Sequence, residues 1–239
     1  MSRILSGIKS LTEGKFKYLL LLILLFTAGI CGLSAGMDAW QEWCTPPEQI
    51  VGEAMMYAAE APMYSYTSEA VRISDGEETL ISRLNGSKNG ENIHLSGSVD
   101  VVDSQVNVYQ IGDTFYRQDI VSGTWMQMTG QNLEATEYLL QEINPLGCLI
   151  LHADSDVTEQ KKEKVNDVKC RSFQVRSSSE KSYLTTSWNE YYYTLWIDKQ
   201  HRLQKAEIIA GDHEQQTEQL KLTVVFDWNT SVEEIKAPV

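Results

Sequence analysis

From Leu220 to Trp228 every second residue is apolar: Leu220, Leu222, Val224, Phe226 and Trp228, with Lys221, Thr223 and Asp227 between them and Val225 the exception. Side chains alternate across a strand, so this run demands a sheet with one covered face. Tyr191, Tyr193, Leu195 and Ile197 repeat the alternation. Asp198-Lys199-Gln200-His201 then turns the chain into a strand from Leu203 to Ala210, completing a meander. A second meander lies upstream. Tyr64, Tyr66, Val71 and Ile73 mark a strand closed by Ser74-Asp75-Gly76. Further strands are predicted over Thr79–Leu84, Asn92–Val102, Gln105–Ile111, Thr114–Asp119 and Thr124–Met128. The stretch Asn85-Gly86-Ser87-Lys88-Asn89-Gly90 has turn composition, and short strands joined by tight turns make antiparallel neighbours. Strands are also predicted around Val157–Glu163 and over Val168–Arg176.

Two segments read as helices. Thr45-Pro46-Pro47-Glu48 has a capping hydroxyl, prolines suited to a first turn and an acid at the positive end of the dipole. Behind it Ile50, Val51, Ala54, Met55, Ala58 and Ala59 form one apolar stripe until Pro62 stops it. Asn132–Ile143 is the second, ended by Asn144-Pro145-Leu146-Gly147. The fold class is α+β: an antiparallel sheet with helices against its apolar face.

Tyr18–Met37 carries no charge and is preceded by Arg3, Lys9, Lys15 and Lys17. About 20 apolar residues span a bilayer, and the cationic flank belongs on the cytoplasmic side. The organisation expected is a cytoplasmic tail over 1–17, a transmembrane helix or signal anchor over 18–37, a juxtamembrane linker over 38–47 and an extracytoplasmic domain over 48–239. Trp40 and Trp43 suit the membrane interface. A cleaved signal peptide, with Ser34, Ala35 and Gly36 near a processing site, is the alternative, and acylation at Cys31 a third, poorly served by Ile30 before it. Beyond the first 17 residues the chain is strongly acidic, since the whole carries −13. That charge opposes nucleic-acid binding, which is driven by Lys and Arg on phosphates. An exported domain permits disulfides, and Cys148 with Cys170 is the candidate bridge, two buried free thiols being the alternative. Cys44 has no obvious intramolecular partner and is placed to link two chains.

No catalytic residues emerge. His94, His152, His201 and His213 have no metal-binding spacing, Asp154-Ser155-Asp156 lacks the rest of a calcium loop, and there is no nucleophile elbow or phosphate-binding glycine loop. No cofactor is expected. The unusual feature is aromatic: 11 tyrosines and 6 tryptophans. Tyr191-Tyr192-Tyr193, Trp188 and Trp196 are either packing or the wall of an apolar pocket.

Several local motifs bear a family resemblance. Ile111-Gly112-Asp113-Thr114-Phe115-Tyr116 with Gly123-Thr124-Trp125, Asn144-Pro145-Leu146, Val165-Asn166-Asp167-Val168-Lys169-Cys170, Leu195-Trp196-Ile197-Asp198 and Ile235-Lys236-Ala237-Pro238 together resemble the LolA/LppX-type lipoprotein-carrier superfamily, which includes RseB-like regulators. Asp167 stands where that family usually has Gly. The resemblance spans roughly Pro46 to Val239. It implies a strongly curved antiparallel sheet, an incomplete barrel, with helices covering its concave face. It also implies a non-catalytic function, holding a lipid or lipoprotein acyl chain in that hollow. Tyr191, Tyr193, Leu195, Leu220, Leu222, Val224, Phe226 and Trp228 are the expected lining. The alternative is a cell-envelope interaction or sensor module that binds a protein partner and no small molecule. A retained anchor argues against shuttling of a soluble carrier.

Overall fold

The computed structural model describes residues 45–100, 103–129, 156–177, 190–211 and 218–238. The apolar span 18–37, Trp40, Trp43, the helix expected over Asn132–Ile143, Trp188, and Cys31, Cys44 and Cys148 lie outside the described residues. Among the described residues one helix, α1 (Pro47–Glu60), is followed by β1 (Met63–Ser74), β2 (Glu77–Asn89), β3 (Asn92–Val99), β4 (Ser104–Ile111), β5 (Thr114–Gln118) and β6 (Trp125–Thr129). Then come β7 (Asp156–Val165), β8 (Val168–Ser177), β9 (Glu190–Asp198), β10 (Leu203–Gly211) and β11 (Glu218–Asp227).

The two expected meanders are halves of one 11-stranded sheet in the order β6-β5-β4-β3-β2-β1-β11-β10-β9-β8-β7. The seam is the antiparallel pair β1–β11, in register from Ser65↔Asp227 to Ser74↔Glu218. Among the described residues the sheet does not close, since β6 and β7 end the order on opposite sides.

Turn chemistry sets the hairpins. Asp75 and Gly76 (φ 52° and 84°) join β1 to β2, and Asn166 and Asp167 (φ 47° and 64°) join β7 to β8. Paired positive φ values match the right-handed twist of the strands they connect. Asp167 therefore adopts the glycine-like backbone that the family motif fills with Gly. At the β9–β10 turn the carboxylate of Asp198, 3 % exposed, accepts from Gln200 N, Arg202 N, Arg202 Nε and Gln204 Nε2 at 2.8–2.9 Å.

The turn expected at Asn85–Gly90 is shorter than its composition suggests. Asn85 to Asn89 continue β2, and the chain reverses at Gly90 (φ 63°). Gly86 belongs in the strand because the ring of Tyr66, its partner on β1, lies where a Cβ would be. An aromatic ring laid over a strand glycine restores the packing the missing side chain forfeits. The two asparagines flanking the reversal clamp the C-terminal segment: Asn89 Nδ2 donates to Val232 O (3.0 Å) and Asn92 Nδ2 to Ile235 O (3.0 Å).

Helix α1 buries Ile50, Val51, Ala54 and Ala58, and packs on β7, β9 and β10. Alanine at two of these positions lets the helix axis lie close to the sheet. Its last turn is tied to β2, where Lys88 Nζ donates to Ala59 O at 2.7 Å, a cation on the negative end of the helix dipole. Burial holds the Lys88 ammonium below its usual range. Among the described residues no helix is long and apolar enough to cross a membrane.

Candidate functional site: the apolar face under the helix

Residues paired across antiparallel strands share a face, so the register fixes which side chains lie under α1. One row runs Ser68–Val224–Ala206–Leu195–Phe173 across β1, β11, β10, β9 and β8. The next runs Ala70–Leu222–Ile208–Tyr193–Val175, and a third places Leu220, Ala210 and Tyr191 together. Tyr191, Tyr193, Leu195, Val224 and Phe226 are at most 3 % exposed. Leu220, Leu222 and Trp228 are half-buried and pack against the same cluster. All the residues expected to line a hollow thus lie on one face and in one core. Each buried side chain of this size contributes about 1.5–3 kcal/mol.

The same face continues across the other half of the sheet. Tyr66, Gly86, Leu95 and Val108 form one row over β1–β4, with Phe115, Val106 and Leu84 buried beside it. The alternation test found little of this half, because glycines and serines interrupt the apolar sequence of β2 and β3. Between the halves sits an aromatic group. Tyr64 meets Phe226 and Trp228 at ring-centroid distances of 5.7 and 5.1 Å, Tyr66 meets Phe226 at 6.0 Å, and Tyr57 of α1 meets Trp228 at 5.3 Å. Burial pushes the Tyr64 hydroxyl up to about 12 and raises that of Tyr66 further, the neighbouring Tyr64 adding to the effect.

Two of the aromatic residues considered for a pocket wall lie elsewhere. Trp196 is on the opposite face, where its Nε1 donates to Glu163 (2.8 Å) and Lys205 Nζ stands 4.2 Å from its ring centroid. Tyr192 is also on that face and is 42 % exposed. Their parity in β9 explains this, since Tyr191, Tyr193, Leu195 and Ile197 take the apolar side. Cys170 is buried and carries a free thiol, raised chiefly by that burial. Its expected partner Cys148 lies outside the described residues.

A concavity of about 460 Å³ lies on the face away from α1, over β1, β2, β3 and β11, with Asn166 of the β7–β8 turn on its rim. Its wall includes Thr67, Asn85, Ser87, His94, Ser96 and Asp227. Its lining mixes these polar side chains with Tyr66, Gly86, Val225 and Phe226, whereas the opposite face is a continuous apolar cluster and is the candidate for a lipid. Among the described residues no group of three or more His, Cys, Asp or Glu converges as a metal site would.

No protein-family model matches this sequence, and no curated protein matches it. Solved structures do match by shape. The lipoprotein LppX of Mycobacterium tuberculosis aligns with a TM-score of 0.54 at 12 % identity, covering 78 % of this chain and 97 % of that one. LprF of Mycobacterium bovis aligns at 0.46 and 10 % identity, covering 79 % and 96 %. A LolA superfamily protein of Nitrosomonas europaea aligns at 0.37 and 11 %, covering 79 % and 96 %. The chain has a LolA/LppX-like fold. At this identity the likeness with LppX speaks for the fold alone.

Proposed function

We propose that this protein is a membrane-anchored extracytoplasmic binding protein that holds a lipid or acyl chain against the apolar face of an incomplete barrel, without catalysing a reaction. The single observation behind this reading is the continuity of that face. It runs unbroken from Phe115 through Tyr66 and Phe226 to Tyr193 and Phe173, in a sheet that stays open at both edges. Ligand pockets for apolar molecules are lined mainly by hydrophobic and aromatic side chains with few polar groups. Half-buried Leu220, Leu222 and Trp228 mark where an acyl chain would complete the cover. Residues 18–37 would serve as the anchor, with 48–239 outside the cytoplasm. The fold shared with a lipoprotein supports an envelope setting. The test is to purify the full chain from its native membrane, extract it and identify bound lipid by mass spectrometry. Stoichiometric acyl lipid is expected. An extract free of lipid, with no response to a fluorescent fatty acid, would defeat the reading.

A second reading, an envelope module that binds a protein partner, is favoured by the β5–β6 loop. Ile120 and Val121 stand 53 % and 96 % exposed there, on a turn held by Asp119 Oδ1 accepting from Val121 N and Ser122 N. In-cell cross-linking from position 121 that traps one protein reproducibly, with an empty apolar face, would favour it.

A further inference from the structure

The face of the sheet opposite α1 carries two straight polar rows across β1 to β6. The first is Thr67, Asn85, Ser96, Asn107, Gln118 and Trp125, neighbours through strand pairing and through a hydrogen bond from Asn107 Nδ2 to Gln118 Oε1 (3.3 Å). Beside it run Ser65, Ser87, His94, Tyr109, Tyr116 and Gln127. Neither row contains Lys, Arg, Glu or an aliphatic side chain. At their β1 end the rows enter the concavity of about 460 Å³, where Asp227 contributes the one carboxylate.

A directed hydrogen-bond relay fixes the polarity of this surface. The carbonyl of Gly123 can only accept, so Gln118 turns its Nε2 toward it (3.0 Å) and its Oε1 toward Asn107. Asn107 therefore donates with Nδ2 and leaves Oδ1 for His94 Nε2, 2.9 Å away. His94 is thereby set as the Nε2–H tautomer, and its Nδ1 is an acceptor. The imidazole stacks on Tyr109 with centroids 4.1 Å apart and planes at 16°, and Trp125 meets Tyr109 edge-on at 5.4 Å. The two rows thus offer oriented amides and hydroxyls, one imidazole acceptor and aromatic rings, and the cation of the neighbouring row, Arg83, is already paired with Glu69 at 2.8 Å.

We propose that this face binds a neutral, linear saccharide lying across the strands, its reading end in the concavity beside Asn85, His94 and Ser96. Sugar hydroxyls both donate and accept, which suits Asn, Ser and Thr side chains and the His94 acceptor. The apolar side of a pyranose ring suits Tyr109 and Trp125. Adjacent strands are about 4.8 Å apart, close to the length of one hexose unit, so successive sugars meet equivalent pairs of side chains. The inference is independent of the lipid reading, which concerns the other face.

The test uses the full chain in a detergent without a sugar headgroup, with cellotetraose, chitotetraose and maltotetraose as probes in saturation-transfer NMR. Transfer to at least one of the three is expected. Asn85→Ala should weaken that binding at least tenfold, and Ser96→Trp, which fills the concavity, should abolish it. Met126→Ala, on the apolar face, should leave it unchanged. Unfolding midpoints of the variants report whether their folds are intact. No transfer to any of the three, or transfer that survives both Asn85→Ala and Ser96→Trp, overturns the proposal.

Discussion

Replacing Gly86 with alanine tests whether the two halves of the core are joined as described. A Cβ at Gly86 would lie 2.0–2.5 Å from Cζ, Cε1 and OH of Tyr66, and carbon atoms settle at about 3.5–4.0 Å, so the phenol end of the ring has to retreat by roughly 1.5 Å. It has little room, with Phe226 at 6.0 Å and Tyr64 at 6.2 Å between centroids and Tyr66 only 4 % exposed. Overpacking of a filled core costs about 1–3 kcal/mol, and the upper half of that range applies where the obstructed group is a rigid, buried ring. Urea unfolding of the full chain, followed by tryptophan fluorescence, should show Gly86→Ala destabilised by about 2–3 kcal/mol. Tyr66→Leu removes the obstruction. In the double variant Gly86→Ala/Tyr66→Leu the two changes should cost at least ~1 kcal/mol less than their sum, as contacting sites do. An effect of Gly86→Ala below about 0.5 kcal/mol, or strict additivity, would refute the claim that Tyr66 fills the glycine's place.

Asp198→Ala should cost about 3–5 kcal/mol in the same assay, because it removes the buried carboxylate that accepts four hydrogen bonds and leaves Arg202 without its partner. Raising the pH should weaken the fold between pH 10 and 12: the unfolded chain ionises Tyr64 near pH 10 while the folded chain holds that proton to about 12. At pH 11 this difference is about 1.4 kcal/mol for Tyr64, with a similar loss for the still higher Tyr66, and Tyr64→Phe/Tyr66→Phe should flatten the alkaline limb of stability against pH. Leu222→Glu should weaken a fluorescent fatty acid at least tenfold, whereas Leu222→Met should not; equal binding by both would move the acyl site elsewhere. Cys170 should resist maleimide in the folded chain at pH 7.5 and react once unfolded in urea without reductant, since its thiol is buried and free.

Where one face of a strand is uniformly apolar, the sequence was a sufficient guide. Tyr191, Tyr193, Leu195 and Ile197 of β9 and Ala206, Ile208 and Ala210 of β10 are buried, β11 buries Val224 and Phe226 and half-buries Leu220 and Leu222, and the rows through Tyr193, Leu195 and Val224 follow directly. β1 and β2 were harder. The apolar side of β2 presents Leu84, Gly86 and Lys88, and the gap at Gly86 is filled from β1 by Tyr66, a contact no local pattern encodes. Composition overextended the turn at Asn85–Gly90 for the same reason, while Asn89 and Asn92 serve a segment more than 140 residues away. The polar rows of the opposite face were invisible in a search for catalytic or metal spacing. Their members are commonplace singly, and only the strand register aligns them.

That register is also what keeps two chemistries apart on one sheet. Slipping a strand by one residue exchanges its faces, so β1 displaced by one position would present Ser65, Thr67 and Glu69 to the core and Tyr64 and Tyr66 to water. The chain resists this with devices that cannot slide. Positive-φ turns at Asp75-Gly76 and Asn166-Asp167 set hairpin registers, and irregularities at Ala70/Val71, Glu159/Lys162 and Leu203/Lys205 lock the strands they interrupt. Two more pins act at β1 itself, which is held on one side by Tyr66 over Gly86 and on the other by ten pairings with β11. The seam between the meanders is therefore the element on which both sites depend. A perturbation there should impair acyl and saccharide binding together, whereas changes confined to either face should separate them.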